Sequence, residues 1–293
     1  MGVFHIFTSP TAVTADFFYI ILYKKHTSIR KEVIHIMKII CSKNNLLKSV
    51  SISLKAVPSK TTMPILECIL IDATTNQIKF TTNDMELGIE TIVEGEIEEK
   101  GIIALDAKIF YEIIRRLPDN NVTIKTDDKL TATITCEKAK FTIPGKSGED
   151  FAYLPIIERE ESLTISQFTL KEMIRQTIFS IASNETNKLM TGELFEIKDN
   201  YLKIVSLDGH RIAIRRMELK KDYSDRKVVV PGKTLNEVSK ILSGELDDLV
   251  NIYFSKNGFN IAILCVSMYN SYSVDSIKEL LTEASENSDY QII

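Results

Sequence analysis

Apolar residues recur at helical spacing in four places along the chain. Leu46, Leu47 and Val50 open the first such stretch, and Ile109, Ile113, Ile114 and Leu117 mark the second. Leu170, Met173, Ile174 and Ile178 form the third, and Leu235, Val238, Ile241 and Leu242 the fourth. Steps of three and four residues gather each set on one face of a helix, which predicts helices over 42–55, 107–117, 169–181 and 232–243. Between them the pattern changes to alternating and β-branched runs, as in Ile78–Thr82, Leu202–Ser206 and Val228–Val230, which predict strands.

These elements repeat. Residues 78–89 (IKFTTNDMELGI) and 202–213 (LKIVSLDGHRIA) each carry an alternating strand, an aspartate at Asp84 or Asp208, and a second apolar strand, at an offset of 124 residues. Residues 103–118 (IALDAKIFYEIIRRLP) and 228–243 (VVVPGKTLNEVSKILS) each read as a β-branched strand, a short turn and an amphipathic helix. The first and third helices open the two copies. Three collinear pairs point to a duplicated α+β unit of helix, strands, helix and strands, about the size of an ordinary domain. The join is expected near Ile157–Glu161, a charged stretch just after Pro155.

Charge is distributed by element. The chain of 293 residues has a formal net charge of −4, so contact with nucleic acid requires local segregation of basic residues. The four predicted helices carry Lys43, Lys48, Lys55, Lys108, Arg115, Arg116, Lys171, Arg175, Lys233 and Lys240 against only Glu112, Glu172 and Glu237. They therefore net +7, and the rest of the chain nets −11. Helices gathered on one surface would form a basic face suited to phosphates, although lysine-rich exposed helix faces are also common in proteins that bind nothing. No zinc-finger or helix-turn-helix spacing accompanies the cations, so base reading is not expected.

Other chemistry is sparse. Cys41, Cys68, Cys136 and Cys265 form no CxxC pair, which argues against a zinc site or disulfide framework and fits a reducing, cytoplasmic setting. The apolar run at 17–23 (FFYIILY) is too short to span a bilayer. Its cations, Lys24 and Lys25, follow it, the reverse of a signal peptide. Asp208 and His210 have the residue types of a general-base pair, but neighbours on one turn rarely face each other, and no nucleophile or phosphate-loop motif accompanies them. A structural turn with Gly209 at positive φ is the expectation there, with no catalytic residue, metal or cofactor.

From Met37 onward the chain resembles the bacterial replicative sliding clamp, the beta subunit of DNA polymerase III. MKIICSKNNLLKSV at 37–50 is similar to the family's opening, MPIL at 63–66 to its LPIL, and Asp84–Glu86 to its TDLE turn. FTIPGKSGEDFAYL at 141–154 is similar to the close of its first domain, and SLDGHRIA at 206–213 to its TDGHRLA. The resemblance implies a DNA-clamp fold, with helices on the channel side of a ring and antiparallel sheets outside. It also implies a non-enzymatic processivity factor that holds double-stranded DNA without base specificity and binds the replicative DNA polymerase and clamp loader through short peptide motifs. Lys60, Lys108 and Arg115 fall at positions that imply duplex contact, and Lys171, Arg175 and Lys240 join them on the helices. Met190, Leu207, Gly209, His210, Arg211 and Ile212 fall at the partner-peptide cleft, where the family has threonine in place of Leu207.

On this basis residues 1–36 are an extension, 37–157 a first clamp domain, 158–257 a second and 258–293 a divergent tail. That tail is too short for the third domain through which the family closes its homodimeric ring, so ring closure is not expected of these residues. A clamp-like interaction protein that binds clamp users without encircling DNA is the alternative.

Overall fold

The computed structural model describes residues 36–154, 162–183 and 188–255, together with the backbone of strands at 258–263, 266–270 and 291–292. The early apolar run, the expected join near 157–161 and the stretch SIKELLTEA at 276–284, whose sequence predicts at most a short peripheral helix, lie outside the described residues.

The first repeat opens with β1 (Lys38–Ser42) and α1 (Lys43–Ser53). The Ser42 side chain caps the helix by accepting from the Asn45 N–H at 3.2 Å. Then follow β2 (Cys68–Asp72), β3 (Ile78–Asn83), β4 (Leu87–Val93), β5 (Gly95–Glu99) and β6 (Ile102–Asp106). Asp106 caps α2 (Ala107–Arg116) by accepting from the Ile109 N–H at 2.8 Å. Strands β7 (Asn121–Thr126), β8 (Thr131–Cys136) and β9 (Ala139–Ser147) complete the unit.

The second repeat follows the same order: β10 (Ser162–Ser166), α3 (Gln167–Arg175), β11 (Gly192–Lys198), β12 (Tyr201–Leu207), β13 (Arg211–Glu218), β14 (Arg226–Pro231), α4 (Gly232–Ile241), β15 (Leu249–Ser255), β16 (Gly258–Ile263) and β17 (Val266–Asn270). Only β5 has no counterpart among the described residues of the second repeat. The short β18 (Gln291–Ile292) comes last.

The duplication reaches individual hydrogen bonds. Asp84 accepts from the backbone N–H of Glu86 and Leu87 at 3.0 and 2.7 Å, and Asp208 accepts from His210 and Arg211 at 3.0 and 3.1 Å. In the left-handed place of each turn stand Met85, at φ 73°, and Gly209, at φ 91°. The Thr82 hydroxyl donates to the Ser53 carbonyl at 2.6 Å. Ser206, 124 residues later, donates to the Thr177 carbonyl at the same distance. The two aspartate turns therefore occupy equivalent places, as the sequence predicts.

Each repeat packs its helices on its sheet. The first core gathers Ile39, Leu46, Val50, Ile69, Phe80, Phe110 and Ile114, and the second gathers Leu163, Leu170, Ile174, Phe195, Ile204, Leu235 and Val238. A sheet of 13 described strands joins the repeats, because β17 pairs antiparallel with β4 from Val266↔Thr91 to Asn270↔Leu87. The other sheet has the order β14-β11-β12-β13-β18. Strand β9 turns a corner at Gly145, pairing with β8 before it and with β6 from it onward.

Two sequence expectations are corrected. The third helix, expected over 169–181, covers Gln167–Arg175 and gives way to a 3-10 turn at Ile178–Ser180. The buried Thr177 hydroxyl bonds back to the Met173 and Ile174 carbonyls, and the Thr177 N–H goes to Ile174, which tightens the last turn and ends the helix. The tail expected from 258 begins later, since β16 and β17 are the counterparts of β8 and β9. Those strands keep the period-two pattern of Phe259, Ile261 and Ile263, so the pleat survives where the family motif does not.

Candidate nucleic-acid and peptide interfaces

The helix cations fall into two groups. Lys55 pairs with Glu237 at 3.3 Å and Lys233 with Asp84 at 2.6 Å, so two of the ten tie one repeat to the other. Lys233 is held above the usual lysine range chiefly by its hydrogen bond to Asp84. Lys48, Lys108, Arg115, Arg116, Arg175 and Lys240 are exposed. Lys60 is exposed in the loop before the 3-10 turn Pro64–Glu67. Lys171 is half-buried, with its ammonium donating to the Leu242 carbonyl at 3.0 Å.

The three helix carboxylates are already occupied. Glu112 pairs with Arg115 at 2.7 Å and Arg116 at 3.3 Å, Glu172 with Arg175 at 2.7 Å, and Glu237 with Lys240 at 2.6 Å as well as Lys55. Hydrogen bonds from Arg115 and Arg175 hold Glu112 and Glu172 below the usual carboxylate range. These same-helix pairs are exposed and worth only ~0–1 kcal/mol each. Arg115, Arg116, Arg175 and Lys240 lie in the last turns of their helices, where a cation also complements the helix dipole. That local role accounts for part of the pattern without any ligand.

The Asp208 turn lies at the end of the β12–β13 hairpin. Strand alternation sends Glu193, Phe195, Ile204 and Ser206 toward the second core, and their neighbours Leu194, Val205 and Leu207 to the other face of the sheet. There Leu194, Val205, Leu207, Ile212 and Val229 form a separate apolar cluster, with Leu189 and Met190 packed against it. The structure thus brings Met190, Leu207 and Ile212 together, while Gly209, His210 and Arg211 are exposed on the adjoining turn. Arg211 pairs with Asp208 at 2.9 Å and lies 6.0 Å from the centroid of the exposed Phe179 ring. Burial works against the Asp208 charge, but the His210 and Arg211 N–H groups and the Arg211 guanidinium outweigh it, keeping this carboxylate below its usual range. His210 meets Asp208 through its backbone N–H, at 3.0 Å.

Sequence reasoning missed Leu189, Leu194, Val205, Val229 and Phe179. The alternation of β11, β12 and β14 carries the signal for most of them, because those strands are apolar on both faces near the turn. Beyond the cluster the same face becomes ionic, where the buried Glu196 pairs with both Lys203 and Lys227. Among the described residues, no group of three or more His, Cys, Asp or Glu is placed to hold a metal ion.

Comparison with known proteins agrees with this architecture. The model of the DNA polymerase III beta subunit N-terminal domain matches residues 37–155, and that of the central domain matches 164–271. The beta sliding clamp of Bacillus subtilis strain 168 is 37% identical over 226 residues, covering 73% of this chain and 60% of the relative. That of Halalkalibacterium halodurans is 34% identical over 232 residues, covering 75% and 61%. The chain therefore spans about three fifths of the length of these curated relatives. A crystal structure of a DNA polymerase III beta subunit from Eubacterium rectale superposes with a TM-score of 0.80 at 61% identity, over 84% of this chain and 68% of that one. The sliding clamp from Bacillus subtilis superposes with a TM-score of 0.78 at 30% identity, over 86% and 74%. The fold is the α+β DNA-clamp fold, and the chain belongs to the DNA polymerase III beta subunit family.

Proposed function

We propose that the chain serves as a non-catalytic sliding-clamp subunit that holds the replicative polymerase on duplex DNA. The observation that carries this reading is the charge distribution. The four helices net +6 in a chain that nets −4, and each of their three carboxylates is already paired with neighbouring cations. Phosphates approaching this surface meet little opposing acid. Lys60, Lys108, Arg115, Arg175 and Lys240 are the proposed duplex contacts. Lys171 adds the N–H donors that Leu242 leaves free. Contacts of this kind displace counterions without reading bases, so they hold the duplex without fixing the protein at one sequence.

The cluster of Met190, Leu207 and Ile212, with Gly209, His210 and Arg211 at its rim, is the proposed docking cleft for short peptides of the polymerase and clamp loader. An apolar patch framed by turn backbone and one arginine suits an extended segment that inserts aliphatic or aromatic anchors. We assign 37–157 to a first clamp domain and extend the second from 158 through β17, in a cytoplasmic setting. The test is fluorescence anisotropy on several unrelated duplexes over a salt series. Near-equal affinities that fall linearly on logarithmic axes are expected. A chain that binds no duplex, or prefers one sequence strongly, does not fit the reading.

A further inference from the structure

We infer that the outer face of the first repeat's sheet is a second peptide-docking surface, kept closed by the chain's own residues 148–154. Once that segment is displaced, its ligand is a short peptide with an aromatic anchor followed by an aliphatic one.

The repeat locates the face. Leu66, Leu70, Thr81, Asn83 and Gly88 stand 124 residues before Met190, Leu194, Val205, Leu207 and Ile212. The match extends to local structure, since the 3-10 turn Pro64–Glu67 has its counterpart at Lys188–Thr191, each leading into the next strand. Strand alternation turns Ile69 and Phe80 into the first core, and Leu70, Thr81 and Asn83 to the opposite face. There all three are buried, as are Leu66 and Gly88.

The cover comes from the same chain. After the 3-10 turn Gly148–Asp150 the backbone crosses this face. A Cβ at Gly148 would lie 3.1 Å from Leu70 Cδ1, so the backbone rests on that side chain. Asn83 Nδ2 donates to the Ala152 carbonyl at 3.2 Å and fixes the segment midway. Leu154 fills the space over Gly88, where any Cβ would collide with its Cδ2. At the same place in the second repeat, Ile212 supplies that bulk itself. Phe151 is 3% exposed and belongs to neither core, so the segment sets two anchors, Phe151 and Leu154, as a docked peptide does. Tethering holds such a segment at an effective concentration on the order of millimolar, which free peptides at micromolar levels do not match. The kind of ligand rests on the cleft reading of the second repeat, whereas the closure in cis does not.

The probe is a fluorescent synthetic peptide of residues 147–155, and every protein carries Met190→Glu so that the second cleft is silent. Leu154→Ala and Phe151→Ala/Leu154→Ala are compared with Met190→Glu alone by fluorescence anisotropy, with thermal melts to establish folding. The double variant is expected to bind the probe roughly tenfold more tightly than the parent, with Leu154→Ala between them. Leu154→Ala trims one half-buried side chain, so it carries the test should the double variant unfold. A probe whose own Phe and Leu are replaced by Ala is expected to bind none of the three. Equal affinity for the parent and the folded variants overturns the inference, and so does equal binding of the two probes. Capture of a polymerase-derived peptide by the chain without Met190→Glu reports on the second cleft alone, so either reading can fail without the other.

Discussion

Glu193 lies on β11 at the position that Ile69 occupies on β2, 124 residues earlier, and both side chains are fully buried. No hydrogen bond of good geometry reaches either carboxylate oxygen of Glu193, and the nearby Thr177 hydroxyl, bonded to the Met173 and Ile174 carbonyls, offsets its burial only in part. Burial pushes its pKa up to about 8 from an ordinary 4.5. In the window between those values the folded chain keeps a proton that the unfolded chain releases, so stability falls as pH rises through it and levels off above about 8. Urea unfolding at stepped pH should show this decline for the natural chain. Glu193→Gln should flatten it, and parallel profiles for the two proteins would refute the assignment. The neighbouring Ser206 makes a second residue-level case. Ser206→Ala removes one of the two donors to the Thr177 carbonyl, which keeps the Ser180 N–H at 3.0 Å, and should cost about 0.5–1.5 kcal/mol in the same assay.

At the scale of elements, the two copies make an internal control. Ser42 and Ser166 occupy the same N-cap position, yet only Ser42 caps with its side chain, while the Ser166 hydroxyl is buried without a partner. Ser42→Ala should therefore destabilise by ~1 kcal/mol, and Ser166→Ala should be neutral or stabilising. Equal losses in denaturant midpoint would show that the capping difference has no energetic consequence. The contrast also bears on what the sequence could reveal. Helix positions were legible because spacings of three and four are hard to satisfy otherwise, and the aspartate turns because a carboxylate accepting two N–H groups needs an Asp at that place. Strands β16 and β17 were missed when likeness was judged by motif, since pairing through backbone asks only for alternation. The end of α3 was misplaced because Thr177 acts through its own hydroxyl, which apolar periodicity does not register. The far-face cluster was half legible: resemblance supplied Met190, Leu207 and Ile212, but Leu194, Val205 and Val229 lie on strands that meet only in the folded sheet.

For the whole molecule the question is whether the basic helices and the apolar cluster act on different ligands. The two sets lie on different elements, one on helices and the loop before MPIL, the other on the face of β11 to β14 turned away from the second core. The proposed duplex contacts are exposed, and the pairs that hold Arg115 and Lys240 are weak enough to be exchanged for phosphate. Reversing charge at Lys60, Arg115 and Lys240 together should weaken binding to every duplex about equally. It should also reduce the slope of log affinity against log salt by about 3, because each lost phosphate contact removes close to one released counterion. Met190→Glu should leave both quantities unchanged and instead abolish capture of a polymerase-derived peptide, since an ionised side chain in the cluster forfeits the apolar surface that an anchor buries. Thermal melts of both variants establish that each remains folded. Undiminished duplex binding by the triple variant across the salt series would remove the helices from the proposed DNA surface. Loss of duplex binding in Met190→Glu would mean that the two surfaces are not independent, and the division of labour between helix and sheet would have to be abandoned.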